Sequence, residues 1–195
     1  MAVKLEKSHL LQRFVDLPML FTLLGVEYEC QWLHNGSIRP KVAAASSVFI
    51  EVTIPAGKYM LFNKRILKMD LAEGYYRLYA SGSYTAGTVT ETLPIVKMRT
   101  DTAVQAQSTF QLLDTASTTA SRDDAFLEIP LFGVAGQGPI NTQGDIDSDS
   151  EVRVVAPGKV LVEFANADPD NAAYWRGLFK WYEVSEGMIP VSEVV

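Results

Sequence analysis

Residues 47–63 read SVFIEVTIPAGKYMLFN. Val48, Ile50, Val52 and Ile54 alternate with Phe49, Glu51 and Thr53, the period of two that marks a strand with one face turned to a core. Pro55-Ala56-Gly57-Lys58 then reverses the chain, because proline fixes one turn dihedral and glycine takes a positive one. Lys58 to Asn63 is expected to return as the partner strand. The same chemistry recurs at Ala156-Pro157-Gly158-Lys159, between VRVV (152–155) and VLVEF (160–164), where Pro and Gly would occupy the centre of a type II turn. Two hairpins of this kind predict an antiparallel β protein.

Further β-type runs lie on either side. Val26, Tyr28, Cys30 and Trp32 alternate against Glu27, Glu29 and Gln31, and His34-Asn35-Gly36-Ser37 reads as the following turn. Ile66–Met69, Tyr75–Ala80, Ile95–Arg99, Ser108–Leu113, Ala125–Phe132 and Leu178–Val184 bring the total to about ten strands. Many short strands broken by Gly, Pro and Asn predict a β-sandwich or jelly roll over residues 26–195. Ahead of it, Leu10, Leu11, Phe14 and Val15 fall on one helical face, and Asp16 and Pro18 open a second short turn that closes at Gly25. Residues 1–25 are therefore expected to form a helical arm. Residues 114–124 (DTASTTASRDD) and 133–150 (GVAGQGPINTQGDIDSDS) read as surface loops.

Composition removes several functions. The formal charge of −6 argues against a binder of nucleic-acid backbones, which draws affinity from counterion release. The charge is uneven: residues 1–99 hold 12 basic against 8 acidic side chains, and residues 100–195 hold 5 against 15. That asymmetry leaves room for complementary contacts between copies. One cysteine, Cys30, excludes an internal disulfide, and with only His9 and His34 beside it no Cys/His zinc site can be assembled. The N-terminus lacks the apolar stretch of a signal peptide, and Leu17–Val26 is far shorter than the roughly 20 residues that span a bilayer.

No motif announces a reaction. Asp145, Asp147, Asp149 and Glu151 have the alternate spacing of a calcium loop, yet Ser150 and Ala156 stand where an EF-hand wants Gly and Glu, so the reading is a solvated acidic loop. Residues 133–139 (GVAGQGP) lack the helix and Lys-Ser/Thr of a phosphate cradle. Neither histidine sits in a motif that would activate a nucleophile. Glu51, Glu128, Glu163 and Glu183 are carboxylates from which a glycosidase pair could be drawn, although glutamates in strands usually mark a solvated face. The sequence thus points to no catalytic residue, cofactor or metal.

Aromatic side chains carry more information. Tyr75, Tyr76, Tyr79 and Tyr84 cluster in one region, and Tyr174, Trp175, Phe179, Trp181 and Tyr182 crowd the last strand. Leu178, Lys180 and Tyr182 alternate with Phe179, Trp181 and Glu183, which leaves no clean polar face, so one row is expected to meet another surface. A subunit interface is favoured over a sugar site, with Tyr174, Trp175 and Trp181 as interface aromatics and Leu10, Leu11, Phe14, Leu20 and Phe21 as arm contacts.

SVFIEVTIPAGKYMLFN, APGKVLVEFANAD (156–168) and YWRGLFKWYEV (174–184), on an acidic chain poor in cysteine, resemble the small jelly-roll structural proteins of tailed-bacteriophage virions, such as capsid decoration or cement proteins. The resemblance implies a non-enzymatic subunit assembled in the host cytoplasm. It would form symmetric oligomers, often trimers, and contact major capsid or other virion proteins, without direct nucleic-acid or membrane partners. A tail or collar accessory subunit fits the same pattern. A different class, a carbohydrate- or receptor-binding β-sandwich, would use the Tyr75–Tyr84 aromatics and the 133–150 loop.

Overall fold

The computed structural model describes residues 27–33, 42–69, 73–97, 105–131 and 153–185. The expected arm at 1–25, with Leu10, Leu11, Phe14, Leu20 and Phe21, lies outside them, as do His9, His34 and the 133–150 loop. The regular structure of the described residues is almost entirely strand: β1 (Glu27–Leu33), β2 (Ser47–Ile54), β3 (Lys58–Met69), β4 (Gly74–Ala80), β5 (Tyr84–Thr85), β6 (Val89–Thr92), β7 (Ile95–Lys97), β8 (Thr109–Leu113), β9 (Thr119–Ala120), β10 (Leu127–Leu131), β11 (Arg153–Val155), β12 (Gly158–Asn166) and β13 (Trp175–Ser185). A 3-10 turn at Arg122–Asp124 is the one helical element among these residues.

Two main sheets form, each wholly antiparallel. The first has the order β11-β3-β13-β1-β7, the second β10-β4-β12-β2-β8-β6, and β5 pairs β9 separately. This order corrects the reading of both Pro-Gly turns. β2 pairs β12 and β8, whereas β3 pairs β13 and β11, so Pro55–Lys58 carries the chain from the second sheet to the first. Ala156–Lys159 carries it back, from β11 to β12. Neither closes a hairpin. Ile54 lies opposite Gly158 in the second sheet and Met60 opposite Val155 in the first, so the two arches stand side by side at one end of the sandwich. The local chemistry was as expected in the first arch: Gly57 has φ +75° and the Lys58 N–H donates to the Pro55 carbonyl at 3.2 Å. A tight reversal serves either purpose, and the burial of the flanking strands decides which.

The inner faces meet in one core. Ile50, Val52, Ile54, Leu78 and Val162 from the second sheet pack with Tyr28, Cys30 and Met60 from the first. Rings bridge the layers: Phe110 lies 4.9 Å from Trp181 and 5.7 Å from Phe179, and Phe164 lies 5.3 Å from Trp175. Such offset and edge-on contacts add about 0.5–1.5 kcal/mol per pair beyond burial. Trp175 fits because residue 74 is glycine; a Cβ there would stand 2.8 Å from both the indole and the Ala165 carbonyl.

The described residues between β4 and β10, 81–97 and 105–126, extend both sheets. They supply β8 and β6 beyond β2 and β7 beyond β1. Their remaining elements cover the outer face of the second sheet, where Tyr84, Ala120 and Ala125 pack on Phe49, Tyr79, Leu113 and Leu161. β2 is consequently buried on both faces. Part of the stretch read as a loop, 114–124, therefore contains β9 and the 3-10 turn; its small residues gave no alternation to betray them.

Candidate functional site

The most concentrated polar chemistry lies on that covered outer face. Register places Glu128 of β10, Arg77 of β4 and Glu163 of β12 in one row across three strands. Arg77 Nε donates to Glu128 Oε2 at 2.6 Å and its Nη1 donates to Glu163 Oε2 at 3.1 Å. Glu163 also accepts from the Tyr79 hydroxyl and from Ser47 Oγ, both at 2.6 Å. Arg122, from the 3-10 turn, grips Glu128 with two donors at 2.5 and 2.9 Å. The Arg122 and Arg77 guanidiniums together hold the Glu128 carboxyl below its usual range. The Tyr75 ring lies against both guanidinium carbons, 4.8 Å from Arg77 and 5.2 Å from Arg122, and its hydroxyl donates to Glu73. One strand further on, Glu51 accepts from Tyr84 at 2.9 Å and from Lys159 at 2.8 Å.

The fourth carboxylate is on the other sheet. Glu183 accepts from the backbone N–H groups of Gln107 and Ser108 and from Ser108 Oγ at 2.7 Å, tying the approach to β8 onto β13. Three of the four candidate glutamates, Glu51, Glu163 and Glu183, are thus buried and committed to fixed donors. The expectation of a solvated face fails for them because Tyr84, Ala120 and Ala125 cover one sheet face and Gln107 and Ser108 cover the end of β13. Their chemistry is that of clamps between chain segments. Among the described residues no group of three His, Cys, Asp or Glu converges as a metal site, and no helix is long and apolar enough to cross a membrane.

The interface aromatics need correction. Trp175 and Trp181 are 1% and 0% exposed and belong to the inter-sheet core of a single chain, because β13 turns its odd-numbered residues toward the second sheet. Tyr174 is half-buried. Tyr76 and Tyr79 are buried as well, so the tyrosine cluster offers little stacking surface. The large apolar side chains that the described residues do expose are Val89, Val96 and Phe126. Sequence reasoning missed the Arg77 row altogether. Its signal was the shared parity of Tyr75, Arg77 and Tyr79, which becomes legible only once β12 and β10 are known to flank β4. No family profile, curated protein or solved structure matches the chain.

Three phenols, the buried Tyr28 and Tyr79 and the half-buried Tyr84, set a pH limit. Burial is the main cause that raises Tyr28, Tyr79 and Tyr84 above the usual phenol range, with Glu183 adding at Tyr28, Glu163 at Tyr79 and Glu51 at Tyr84. Tyr28 is pushed up to about 12. Unfolded, each ionises near pH 10, so the folded chain binds more protons above that point. Stability is full below pH 10 and falls as pH climbs toward the folded values, by up to about 1.4 kcal/mol per pH unit for each tyrosine. Urea titrations carried from neutral pH to pH 12 should show this loss, and Tyr28→Phe should make it shallower. A flat profile would contradict the burial of these phenols.

Proposed function

We propose that the chain is a non-enzymatic virion structural protein, a capsid decoration or cement subunit built on a jelly roll. The observation that carries this reading is the strand order. With the strands of 81–126 set aside, the first sheet runs β1-β13-β3-β11 and the second β2-β12-β4-β10. This is the order of two nested Greek keys, an architecture used by capsid and lectin domains. Between those two uses, the commitment of the glutamates to internal donors and the burial of Tyr76 and Tyr79 favour assembly over sugar recognition. The subunit would act with its own copies, as a trimer or other small ring, and with major capsid proteins at their junctions. Apolar burial there lowers the free energy of the assembled shell by mass action.

The test is cosedimentation of purified protein with heads assembled from the capsid protein of the same genome, alongside mass spectrometry of gradient-purified particles. Saturable binding to heads is expected, and deletion of residues 1–24 should weaken it. Recovery of the chain only with tails would move the assignment to a tail or collar subunit. Its absence from particles, together with reproducible hits on a glycan array, would replace the reading with a carbohydrate-binding module.

A further inference from the structure

We propose that Glu128 is an acid-sensitive latch: protonation of its carboxyl releases Arg122, and with it the 3-10 turn at Arg122–Asp124, from the outer face of the second sheet while the sandwich stays folded. Leu127 and Ile129 pack on the core, so Glu128 between them points to the outer face. There its Oε2 is shared by two arginines, accepting from Arg77 Nε at 2.6 Å and from Arg122 Nε at 2.9 Å, while Oε1 accepts from Arg122 Nη2. Both guanidiniums also lie over the Tyr75 ring. One carboxylate thus holds two like charges side by side.

The two arginines are unequally committed. Arg77 also donates to the buried Glu163, and its side chain is only 11% exposed. Arg122 has Glu128 as its one hydrogen-bonded anion among the described residues, and its side chain opens to solvent. The turn leans on that pair. None of its residues is buried, Ser121 makes no side-chain cap, and the Asp124 and Ala125 N–H groups bond back to the carbonyls of Ser121 and Arg122 within the turn. Protonation of Glu128 removes the anion and leaves the repulsion between the guanidiniums unopposed. Arg77 then keeps Glu163, and Arg122 moves into solvent. The other titratable groups around the pair are Glu73, bonded to the Tyr75 hydroxyl, Tyr79, bonded to Glu163, and Asp123 and Asp124 on the turn itself. Among the described residues none of these bridges the arginines. Arg122, with Arg77, holds the Glu128 carboxyl below the ordinary 4.5, so the latch is closed above pH 4.5 and opens as pH falls through the lower folded value.

Nitrogen-15 relaxation of the full chain, at backbone amides and at arginine Nε, tests this from about pH 7 to about pH 3, with near-ultraviolet circular dichroism following the core. Order parameters over residues 121–125 are expected to fall from about 0.85 to below about 0.6 as Glu128 titrates. Arg122 Nε should loosen with them, while Arg77 Nε stays ordered and the circular dichroism holds. Glu128→Gln keeps the shape and loses the charge, so the turn should already be mobile at about pH 7 and change no further in acid. Arg122→Met, at an exposed position, is the second variant and should give the same two results. A turn that stays ordered in both variants would overturn the latch. Acid loosening that survives in Glu128→Gln would assign the titration to another carboxyl and overturn the role of Glu128. Circular dichroism lost in step with the turn would mean global acid unfolding, which overturns the local release.

Discussion

Replacing Arg77 by methionine is expected to lower the free energy of unfolding by about 3–5 kcal/mol, the usual cost of leaving one member of a buried ion pair alone. Methionine keeps most of the volume, so the loss reports charge and hydrogen bonding more than packing. Glu163, 6% exposed, would retain only the neutral donors Ser47 and Tyr79. Those two bonds place the loss toward the lower end of the range. Adding Glu163→Gln to Arg77→Met removes the stranded charge and should recover a large part of it. Arg122 gives the contrast: its side chain is 61% exposed, and pairs of that kind contribute little once screened by solvent. Arg122→Ala should therefore leave the urea midpoint near that of the parent. Equal losses for Arg77 and Arg122 would show that the row is a surface network and not a buried clamp. The distinction bears on function. A buried clamp ties β4 to β12 and β10 within the second sheet, so that a partner meets a fixed surface and pays no ordering entropy there.

The Arg77 row also marks where reading the sequence reaches its limit. Alternation located β2, β4, β8 and β12 closely, because each has one face filled by aliphatic or aromatic side chains. It joined β3 poorly, splitting Lys58–Met69 at Lys64 and Arg65, where two basic residues interrupt a strand that continues through them. It missed β5, β6 and β9, whose two to four residues are mostly Thr and Ala and carry no period. The larger gap was pairing. Pro55-Ala56-Gly57-Lys58 specifies a reversal, but whether the next strand joins the same sheet or the opposite one depends on contacts more than a hundred residues away, such as β2 with β12 and β3 with β13. Glu51 and Glu163 carried the same ambiguity. A glutamate within a strand is solvated by default, and only the insertion lying over Phe49 and Leu161 makes these two buried.

Trp181 gives the second large effect. Truncation to alanine is expected to cost about 3–5 kcal/mol, as for other buried aromatic residues, and Trp175→Ala should cost a similar amount. Both indoles touch rings across the sandwich, Trp181 meeting Phe110 and Trp175 meeting Phe164, so each truncation opens a cavity between the layers. Phenylalanine should be tolerated far better than alanine at either position. The buried Nε1 groups of Trp175 and Trp181 have no hydrogen-bond partner, so a phenyl ring gives up no hydrogen bond and also relieves an unsatisfied donor. Solution mass separates this from an interface role. A tryptophan lodged between subunits would, when truncated, lower the mass seen by light scattering while the isolated fold kept its stability. The core placement predicts the reverse, a large drop in unfolding free energy with the mass unchanged while the chain remains folded. Lost mass at constant stability would return Trp175 and Trp181 to the subunit contact. The expected result takes Trp175 and Trp181 out of any partner surface and leaves Phe126, exposed, and Tyr174, half-buried, among the described aromatics that a partner can reach.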